Sequence, residues 1–375
     1  MNNFVYSPIQ MNLLHYIALT KVRGIGPVIG RHLIDYFGDA ATVFTAPARE
    51  LMAIPGIGPR LAESITDARA LHEAENELSF IEKHSIQALV WGTPDYPKRL
   101  AECSDAPLLL YYKGVADLNA SPTVSIVGTR NATAYGKSIC TALVGDLKPY
   151  RPVIVSGLAY GIDSCAHRAA LEHDIPTIGV LGHGLDRIYP AANRGMAAKM
   201  LECGGLLTEF PSGTTPDRQN FPMRNRIIAG LADVTIVVEA AHKGGALITA
   251  EIANTYNRDV CAFPGNVGQA SSAGCNYLIK TNRAHLITGA RDVEYLMNWE
   301  PQSQPTVSQT QLLQTTLTDA EQEAYKIIQE AGKIGVDDLS STLQWPQSKL
   351  AITLLEMEMK GVITALPGKV YRIIS

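Results

Sequence analysis

The sequence predicts an α/β protein with a Rossmann-like, doubly wound and mostly parallel sheet. The sheet is flanked by an N-terminal helical domain of the helix-hairpin-helix (SAM-like) type and by a C-terminal winged helix. Three observations predict this architecture: apolar runs that alternate with helical patterns between Trp91 and Trp299, a repeated Gly-Ile-Gly hairpin before them, and three helical patterns with a terminal hairpin after them. We expect domains at 1–90, 91–299 and 317–375, with a linker at 300–316.

The N-terminal domain contains a near-repeat. Val-Arg-Gly-Ile-Gly-Pro begins at Val22 and Ile-Pro-Gly-Ile-Gly-Pro begins at Ile54, an offset of 32 residues. Gly-Ile-Gly between two helices permits a tight turn and leaves backbone N–H groups free to hold a phosphate. A purely structural helical cap is the alternative. Residues 1–90 carry 7 Lys or Arg against 9 Asp or Glu, which favours the structural interpretation.

Six short runs rich in Val, Ile and Leu predict the strands of the central sheet. They are 123–127, 152–155, 177–181, 205–209, 234–239 and 260–263. Helical patterns alternate with these runs, which indicates parallel strands joined by crossover helices. Continuous apolar runs are typical of strands that are buried on both faces.

A linker rich in Gln, Thr, Ser and Pro precedes the C-terminal domain. Helices are predicted at 319–331, 336–343 and 346–360, followed by a hairpin at 362–373. Thr318 and Glu321 form a capping-box pattern. From Thr318 onward the chain has 6 Lys or Arg and 8 Asp or Glu. Because phosphate neutralisation needs cations, this balance favours a protein-contact or regulatory role over DNA binding, which stays the alternative.

Bulk composition limits the classes of function. The apolar fraction is 46%, enough for a large core, and the net charge of −4 argues against a polyanion binder that works by bulk charge. Any nucleic-acid site must therefore be a local basic patch. Neither a signal peptide nor an apolar run near the roughly 20 residues of a membrane span is visible. The six cysteines are scattered without a C-x-x-C pair, which favours a cytoplasmic protein without disulfides or metal.

Glycine-containing turns follow the predicted strands, and ligands of doubly wound sheets bind at such strand ends. Glycines let backbone N–H groups approach an anion, and the following helix adds a favourable dipole. With Arg130 and Lys243 beside them, these turns favour a phosphate-bearing ligand. The candidate residues are Gly128, Thr129, Arg130, Ser156, Gly157, Leu158, Ala159, Tyr160, Gly161, Lys243, Gly244, Gly245 and Thr249.

The densest basic run of the chain lies at 217–226. Its candidate binding residues are Arg218, Phe221, Arg224, Asn225 and Arg226. Arginine offers a planar fork for phosphate and stacks on bases. A solvated loop with one structural arginine is the alternative.

Catalytic patterns are weak. Asp163 and His167 lie four residues apart on a predicted helix, where a structural hydrogen bond is commoner than acid–base catalysis, and His183 stands alone in a Gly-His-Gly turn. Zinc-ligand spacing, a P-loop and a Gly-x-Gly-x-x-Gly fingerprint after the first strand are absent from the sequence. We therefore assign no catalytic residue, no metal and no cofactor, and expect no enzyme activity.

Six ordered motifs resemble the DprA/Smf (DNA processing protein A) family. They are SIVGTRNATAYG, SGLAYGIDSCAH, GVLGHGLDRIYPAAN, FPMRNRIIAGL, KGGALITAEIA and FPGNV, all between Ser125 and Val267. The approach YPKRLAECSDAPLLLYYKG, which begins at Tyr96, fits the same pattern. The resemblance is strong from about residue 96 to residue 290 and looser in both flanking domains.

The resemblance implies an extended Rossmann domain that binds and protects single-stranded DNA. It also implies a homodimer that passes the strand to RecA recombinase during natural transformation, with single-stranded-DNA-binding protein as a further candidate partner. Arg130 looks like the family's phosphate-contacting arginine, and Ser156, Gly157 and residues 224–226 look like further pocket residues. Tyr160 stands where some relatives have a basic residue, so base stacking is expected there in place of a charge contact.

Two other functions compete with this interpretation. One is a nucleotide-processing enzyme related to the lysine-decarboxylase-like phosphoribohydrolases, whose Gly-Gly-x-x-Thr-x-x-Glu turn resembles 244–249. Glu251, however, comes only two residues after Thr249, and Lys243 replaces the usual proline. The other is a RecA-partner scaffold whose DNA affinity is incidental.

Overall fold

The protein divides into two compact units, Met1–Gln302 and Ser303–Ser375. The computed structural model describes residues 8–301, 317–360, 362–366 and 368–373. The predicted linker at 300–316 lies, apart from its first two residues, outside the described residues. Among the described segments, no helix is long and apolar enough to cross a membrane.

The first unit opens with helices whose hairpins match the near-repeat of the sequence. The helices are α1 (Pro8–Lys21), α2 (Pro27–Phe37), α3 (Ala40–Thr45), α4 (Ala48–Leu51), α5 (Pro59–Thr66) and α6 (Arg69–Lys83). Each Gly-Ile-Gly ends at a helix N-cap: Gly26 precedes α2 and Gly58 precedes α5, with a proline in each first turn. This arrangement confirms the predicted helix-hairpin-helix fold.

A nine-stranded sheet follows, with the order β1-β2-β6-β5-β4-β3-β7-β8-β9. Its strands are β1 (Gln87–Val90), β2 (Leu109–Gly114), β3 (Thr123–Val127), β4 (Val153–Gly157), β5 (Thr177–Val180), β6 (Gly205–Thr208), β7 (Val234–Val237), β8 (Asp259–Ala262) and β9 (His285–Leu286). The six predicted runs correspond to β3 through β8, and all pairings among these six strands are parallel. The mostly parallel, doubly wound fold is thereby confirmed.

Strands β1 and β2 were not predicted. They pair antiparallel with each other, and β2 pairs antiparallel with β6. The side chains of β2 divide between two cores: Leu109 and Tyr111 pack among the N-terminal helices, whereas Leu110 and Tyr112 pack in the core of the central sheet. The strand therefore joins the helical segment and the sheet into one unit.

Helices cover both faces of the sheet. They are α7 (Lys98–Ala101), α8 (Ala134–Asp146), α9 (Ile162–Glu172), α10 (Arg194–Cys203), α11 (Asn220–Leu231), α12 (Gly245–Thr255), α13 (Ala273–Lys280) and α14 (Ala290–Met297). Helices α8, α9 and α14 share one core, and helices α7, α11, α12 and α13 share another. Because both faces are covered, the parallel strands carry almost only buried residues.

The second unit is the predicted winged helix. It contains α15 (Asp319–Ala331), β10 (Ile334–Gly335), α16 (Val336–Leu343), α17 (Gln347–Met359), β11 (Ile363–Leu366) and β12 (Val370–Ile373). The strands pair in the order β10-β12-β11. The capping box is present, since Thr318 N donates to Glu321 Oε2 at 2.7 Å and Glu321 N donates to Thr318 Oγ1 at 3.4 Å.

Candidate functional site

The carboxyl ends of β3, β4 and β7 open into one cavity of about 230 Å³, which we call the strand-end cleft. Nine of the predicted residues line it: Gly128, Thr129, Arg130, Ala159, Arg224, Lys243, Gly244, Gly245 and Thr249. Asp163, for which the sequence predicts only a possible pairing with His167, lines the cleft as well. Three cations and one buried carboxyl group therefore line the same cavity.

A smaller cavity of about 40 Å³, the aromatic pocket, adjoins the cleft. Its predicted residues are Leu158, Tyr160 and Phe221, and it shares Arg130, Ala159 and Arg224 with the cleft. Its unpredicted lining includes His183, Tyr189 and Pro190. The guanidinium carbons of Arg130 and Arg224 lie 5.2 and 6.0 Å from the centroid of the Phe221 ring. Cation–π attraction at these distances holds both arginines beside the same aromatic ring.

Arg224 is buried at the base of the cleft, with 5% of its surface exposed. Burial lowers its pKa, and the nearby Asp163 carboxyl opposes that shift. Burial likewise raises the pKa of Asp163, while Arg224 acts against the rise. No carboxylate oxygen of a described residue lies within 4.0 Å of the Arg224 guanidinium, and Nε has no hydrogen-bond partner there. Its capacity for hydrogen bonding is thus incompletely used.

Gly157 makes this position of Arg224 possible. A Cβ atom at residue 157 would lie 1.7 Å from Nη1 of Arg224 and 2.4 Å from Oδ2 of Asp163. Any side chain at the end of β4 would displace both groups. Gly157 therefore acts beneath the cleft rather than in its lining.

Glu239, which follows β7, fixes the loop that carries Arg130. Its backbone carbonyl accepts a hydrogen bond from Thr129 N at 2.7 Å, and its carboxylate accepts bonds from Thr133 N and Oγ1, each at 2.9 Å. Gly161 closes against the same loop with φ of 82°, and a Cβ there would lie 2.1 Å from Thr129 O. These contacts fix the backbone of the loop, while the Arg130 side chain is exposed.

The N-terminus of α12 forms another wall of the cleft. Gly244 is its N-cap, Gly245 is its first residue, and Lys243 precedes them as an exposed cation. Asn225 Nδ2 donates to Gly245 O at 3.3 Å and ties this turn to α11. Unpaired N–H groups and the positive end of the helix dipole make such a turn favourable for an anion.

Six predicted residues do not line the cleft or the aromatic pocket. Ser156 is buried beneath it and donates to Ile126 O at 2.6 Å. Arg218 is exposed on the loop before α11. Gly157, Gly161 and Asn225 support the cleft from outside its lining through the contacts given above, and Arg226 is buried elsewhere.

Arg226 differs from Arg224 because the basic run is helical rather than a loop. Residues two apart on a helix face nearly opposite directions. Arg226 donates to Asp105 O at 2.7 Å and pairs with the carboxylate of Glu209. Burial raises the pKa of Glu209 to about 7. The expectation that both arginines share one binding surface therefore does not fit the geometry.

The groups considered for catalysis lie apart. His167 is buried, with Nδ1 2.6 Å from Thr177 Oγ1 and Nε2 2.7 Å from Gly157 O, and burial lowers its pKa to about 4. These contacts are structural, and none joins His167 to Asp163. Glu251 is exposed on α12 and pairs with Arg283 at 2.8 Å. Across the described ranges, no group of three or more His, Cys, Asp or Glu side chains is arranged to hold a metal ion.

Three segments of the chain match known families. Residues 87–298 match DNA recombination-mediator protein A, residues 16–70 match the SAM-like helix-hairpin-helix tandem, and residues 308–369 match the DprA winged helix domain. Their order along the chain is that of the predicted domains.

Relatives and solved structures agree with these matches. The protein Smf of Synechocystis sp. is 40% identical over 272 residues, which cover 71% of this chain and 68% of the relative. The crystal structure of DNA processing protein A from Streptococcus pneumoniae is similar, with a TM-score of 0.67, 34% identity, and coverage of 76% of this chain and 98% of that chain. The Helicobacter pylori protein, studied for its single-stranded DNA binding mode, has a TM-score of 0.52, 30% identity, and coverage of 57% and 97%.

These similarities confirm the family that the six sequence motifs indicated. They extend over the helical segment, the sheet and the winged helix, in the same order. The chain belongs to the DNA processing protein A (DprA/Smf) family of DNA recombination mediators.

Proposed function

We propose that this protein binds single-stranded DNA through the strand-end cleft and the aromatic pocket. The observation that carries the proposal is the position of Phe221 beside Arg130 and Arg224. Guanidinium groups and the α12 N-terminus suit phosphates, and an aromatic ring next to them suits an unstacked base. Duplex DNA does not offer an unstacked base, so this combination favours a single strand.

The exposed Tyr160 provides a second aromatic surface in the pocket, with 53% of its surface accessible. Base stacking at this residue remains a prediction. The binding mode of the Helicobacter pylori relative, whose chain covers 57% of this one, supports the same ligand. Arg218 is proposed as an outer contact that reaches the strand from the loop before α11.

We infer from the family that the bound strand is protected and passed to RecA recombinase during DNA uptake. A homodimer, and single-stranded-DNA-binding protein as a further partner, belong to the same proposal. The six cysteines are free thiols, which suits the cytoplasm, where these partners act. We also propose that the domain boundaries lie at about residues 90, 300 and 316. Strand β1 ends at the first of these boundaries.

The protein is proposed to act without catalysis. A phosphoribohydrolase would need a carboxylate free to act on a nucleotide in the cleft. Glu251 is paired with Arg283, and Asp163 is buried beside Arg224. We therefore expect no release of free base from nucleoside monophosphates, and no hydrolysis of DNA or ATP. Release of free base by the purified protein would favour the enzyme interpretation.

The test is fluorescence anisotropy with a labelled single strand and the matching duplex over a salt series. Three phosphate contacts, from Arg130, Arg224 and Lys243, give an expected slope of log affinity against log salt of about −2 for a single strand. Arg130→Ala and Arg224→Ala should each weaken binding roughly ten- to a hundredfold. Equal affinity for strand and duplex, or unchanged binding in both folded variants, would contradict the proposed site.

A further inference from the structure

A third cavity begins on the other side of Arg130, between helices α8 and α9. It encloses about 520 Å³, more than the strand-end cleft. We call it the α8–α9 groove. Its ionisable side chains are Arg130 and Tyr160 from the two loops, Lys137 from α8, and Cys165, Arg168 and Glu172 from α9.

The groove is electropositive. Lys137 and Arg168 are both exposed, and no carboxylate oxygen of a described residue lies within 4.0 Å of either side-chain cation. Arg168 Nε donates to Ser164 O at 3.2 Å, which orients the guanidinium and leaves its terminal nitrogens without a protein acceptor among the described residues. Glu172 is the carboxylate that lines the groove, so three cations oppose one anion.

The groove is also continuous with the proposed DNA site. Arg130 lines the strand-end cleft, the aromatic pocket and the groove, and Tyr160 lines both the pocket and the groove. A phosphate held by Arg130 is therefore at the boundary of a second cationic channel. A flexible single strand that leaves the pocket past Tyr160 enters this channel directly.

We propose that the α8–α9 groove is a second subsite for the same DNA strand, in which Lys137 and Arg168 hold phosphates of nucleotides beyond Arg130. The inference rests on the proposed function of the strand-end cleft. It adds a direction for the bound strand, from the α12 N-terminus past Arg130 and out between α8 and α9. Recognition here is by backbone charge, since Tyr160 is the only aromatic side chain among the described residues lining the groove.

Alkylation of the Cys165 thiol can report whether DNA occupies the groove. Its thiol is half-buried, and its pKa is lowered to about 6, first by a hydrogen bond with Cys140 and further by Arg168 and Lys137. Cys203 is also half-buried, but burial raises its pKa, and the other four cysteines are buried. Cys165 should therefore react first with iodoacetamide near neutral pH, because the thiolate is the nucleophile.

The first experiment compares oligonucleotides of two lengths, about four and about twelve nucleotides, within the usual site sizes of single-strand binders. Lys137→Gln combined with Arg168→Gln should bind the short oligonucleotide as the wild type does. It should bind the long one at least tenfold more weakly, with a salt slope smaller in magnitude by about 1.4. The control is Lys199→Gln combined with Arg291→Gln, which removes two exposed cations outside the three cavities and should change neither affinity.

The second experiment uses the unmodified protein. Alkylation of Cys165, followed by mass spectrometry with Cys203 as the internal reference, should slow severalfold with the long oligonucleotide and stay unchanged with the short one. The proposal requires both results. Wild-type affinity of the double variant for the long strand would overturn it, and so would an unprotected Cys165. If the wild type binds neither oligonucleotide, the proposed function itself fails.

Discussion

Replacement of Gly157 by alanine tests the geometry of the cleft without removing any of its charges. The new Cβ would lie 1.7 Å from Arg224 Nη1, and non-bonded heavy atoms rest about 3.5 Å apart. The guanidinium must therefore move by about 2 Å. A charge-assisted hydrogen bond spans about 2.7–2.9 Å, so a shift of this size breaks it.

The expected loss follows from one such contact. A hydrogen bond to a charged group contributes about 1.5–3 kcal/mol. Its loss should therefore increase the dissociation constant for single-stranded DNA roughly ten- to hundredfold. Overpacking should also lower the free energy of unfolding by about 1–3 kcal/mol. Gly157→Ala and Arg224→Ala remove the same contact, so their effects on binding should not add in the double variant.

The assay is anisotropy with a labelled oligonucleotide, after circular dichroism has established that each variant is folded. Gly195→Ala is the matched control, since a Cβ at that position on α10 meets no atom within 4 Å. Wild-type affinity of a folded Gly157→Ala variant would refute the assignment of Arg224 to the binding surface. Strict additivity in the double variant would show that the two changes act through different contacts.

Three further outcomes follow from the structure. Arg226→Ala should lower the free energy of unfolding, measured with urea at pH 8, by about 3 kcal/mol, because it leaves Glu209 without its cation. The folded variant should keep its DNA affinity. A variant of unchanged stability that has lost DNA affinity would contradict this. Burial keeps His167 neutral by lowering its pKa from the ordinary 6.5 to about 4. The free energy of unfolding should therefore fall by up to about 3 kcal/mol as the pH is lowered from 6.5 to 4. His167→Gln should flatten this pH dependence, and an unchanged pH profile in the variant would contradict the assignment to His167. A chain that ends at Trp299 should stay folded and keep most of the affinity of the full chain for single-stranded DNA. If the shortened chain binds more than about tenfold more weakly, a loss of about 1.4 kcal/mol, the winged helix contributes to DNA binding.

Strands β3 through β8 were predictable because each is a continuous apolar run that alternates with a helical pattern, whereas the parallel strand β9 consists of two exposed residues and was not predicted. Strand β2 was not predicted either, although its sequence is just as apolar. Its two faces pack against different cores, with Tyr111 among the N-terminal helices and Tyr112 against the sheet. An element buried on both sides shows no alternation, so periodicity alone does not identify it as a strand. Strands β3 through β8 are identified by the helices between them, but no helix separates β2 from β3.

The site was predictable where backbone chemistry defines it. Glycines at strand ends identified the turns that carry Arg130 and Lys243, and these turns do meet in one cleft. Side-chain direction was harder to predict. Arg224 and Arg226 look equivalent in a basic run, and only the helix Asn220–Leu231 separates them onto opposite faces. The available clue was the spacing of two residues between the arginines, because residues two apart on a helix face nearly opposite directions.

Asp163 was considered only as a partner for His167, because the two lie one helical turn apart. The structure instead directs His167 to the carbonyl of Gly157 at the end of β4, and Asp163 toward Arg224 on α11. Both contacts depend on where β4 ends, which is a tertiary feature. Local spacing within α9 contains no information about it.

The low net charge of the chain and its proposed ligand are compatible for a physical reason. A protein with a net charge of −4 does not attract DNA by its overall field, so affinity must come from a few well-placed groups. Arg224 meets that need because its position is fixed before binding: it is buried, flanked by Phe221 and Asp163, and admitted by the missing side chain of Gly157. Ordering such a group costs little entropy when the ligand arrives. The buried carboxyl group of Asp163 offsets part of the cost of burying the Arg224 charge in the free protein. It does not occupy the hydrogen-bond donors of Arg224, which are therefore available to a phosphate.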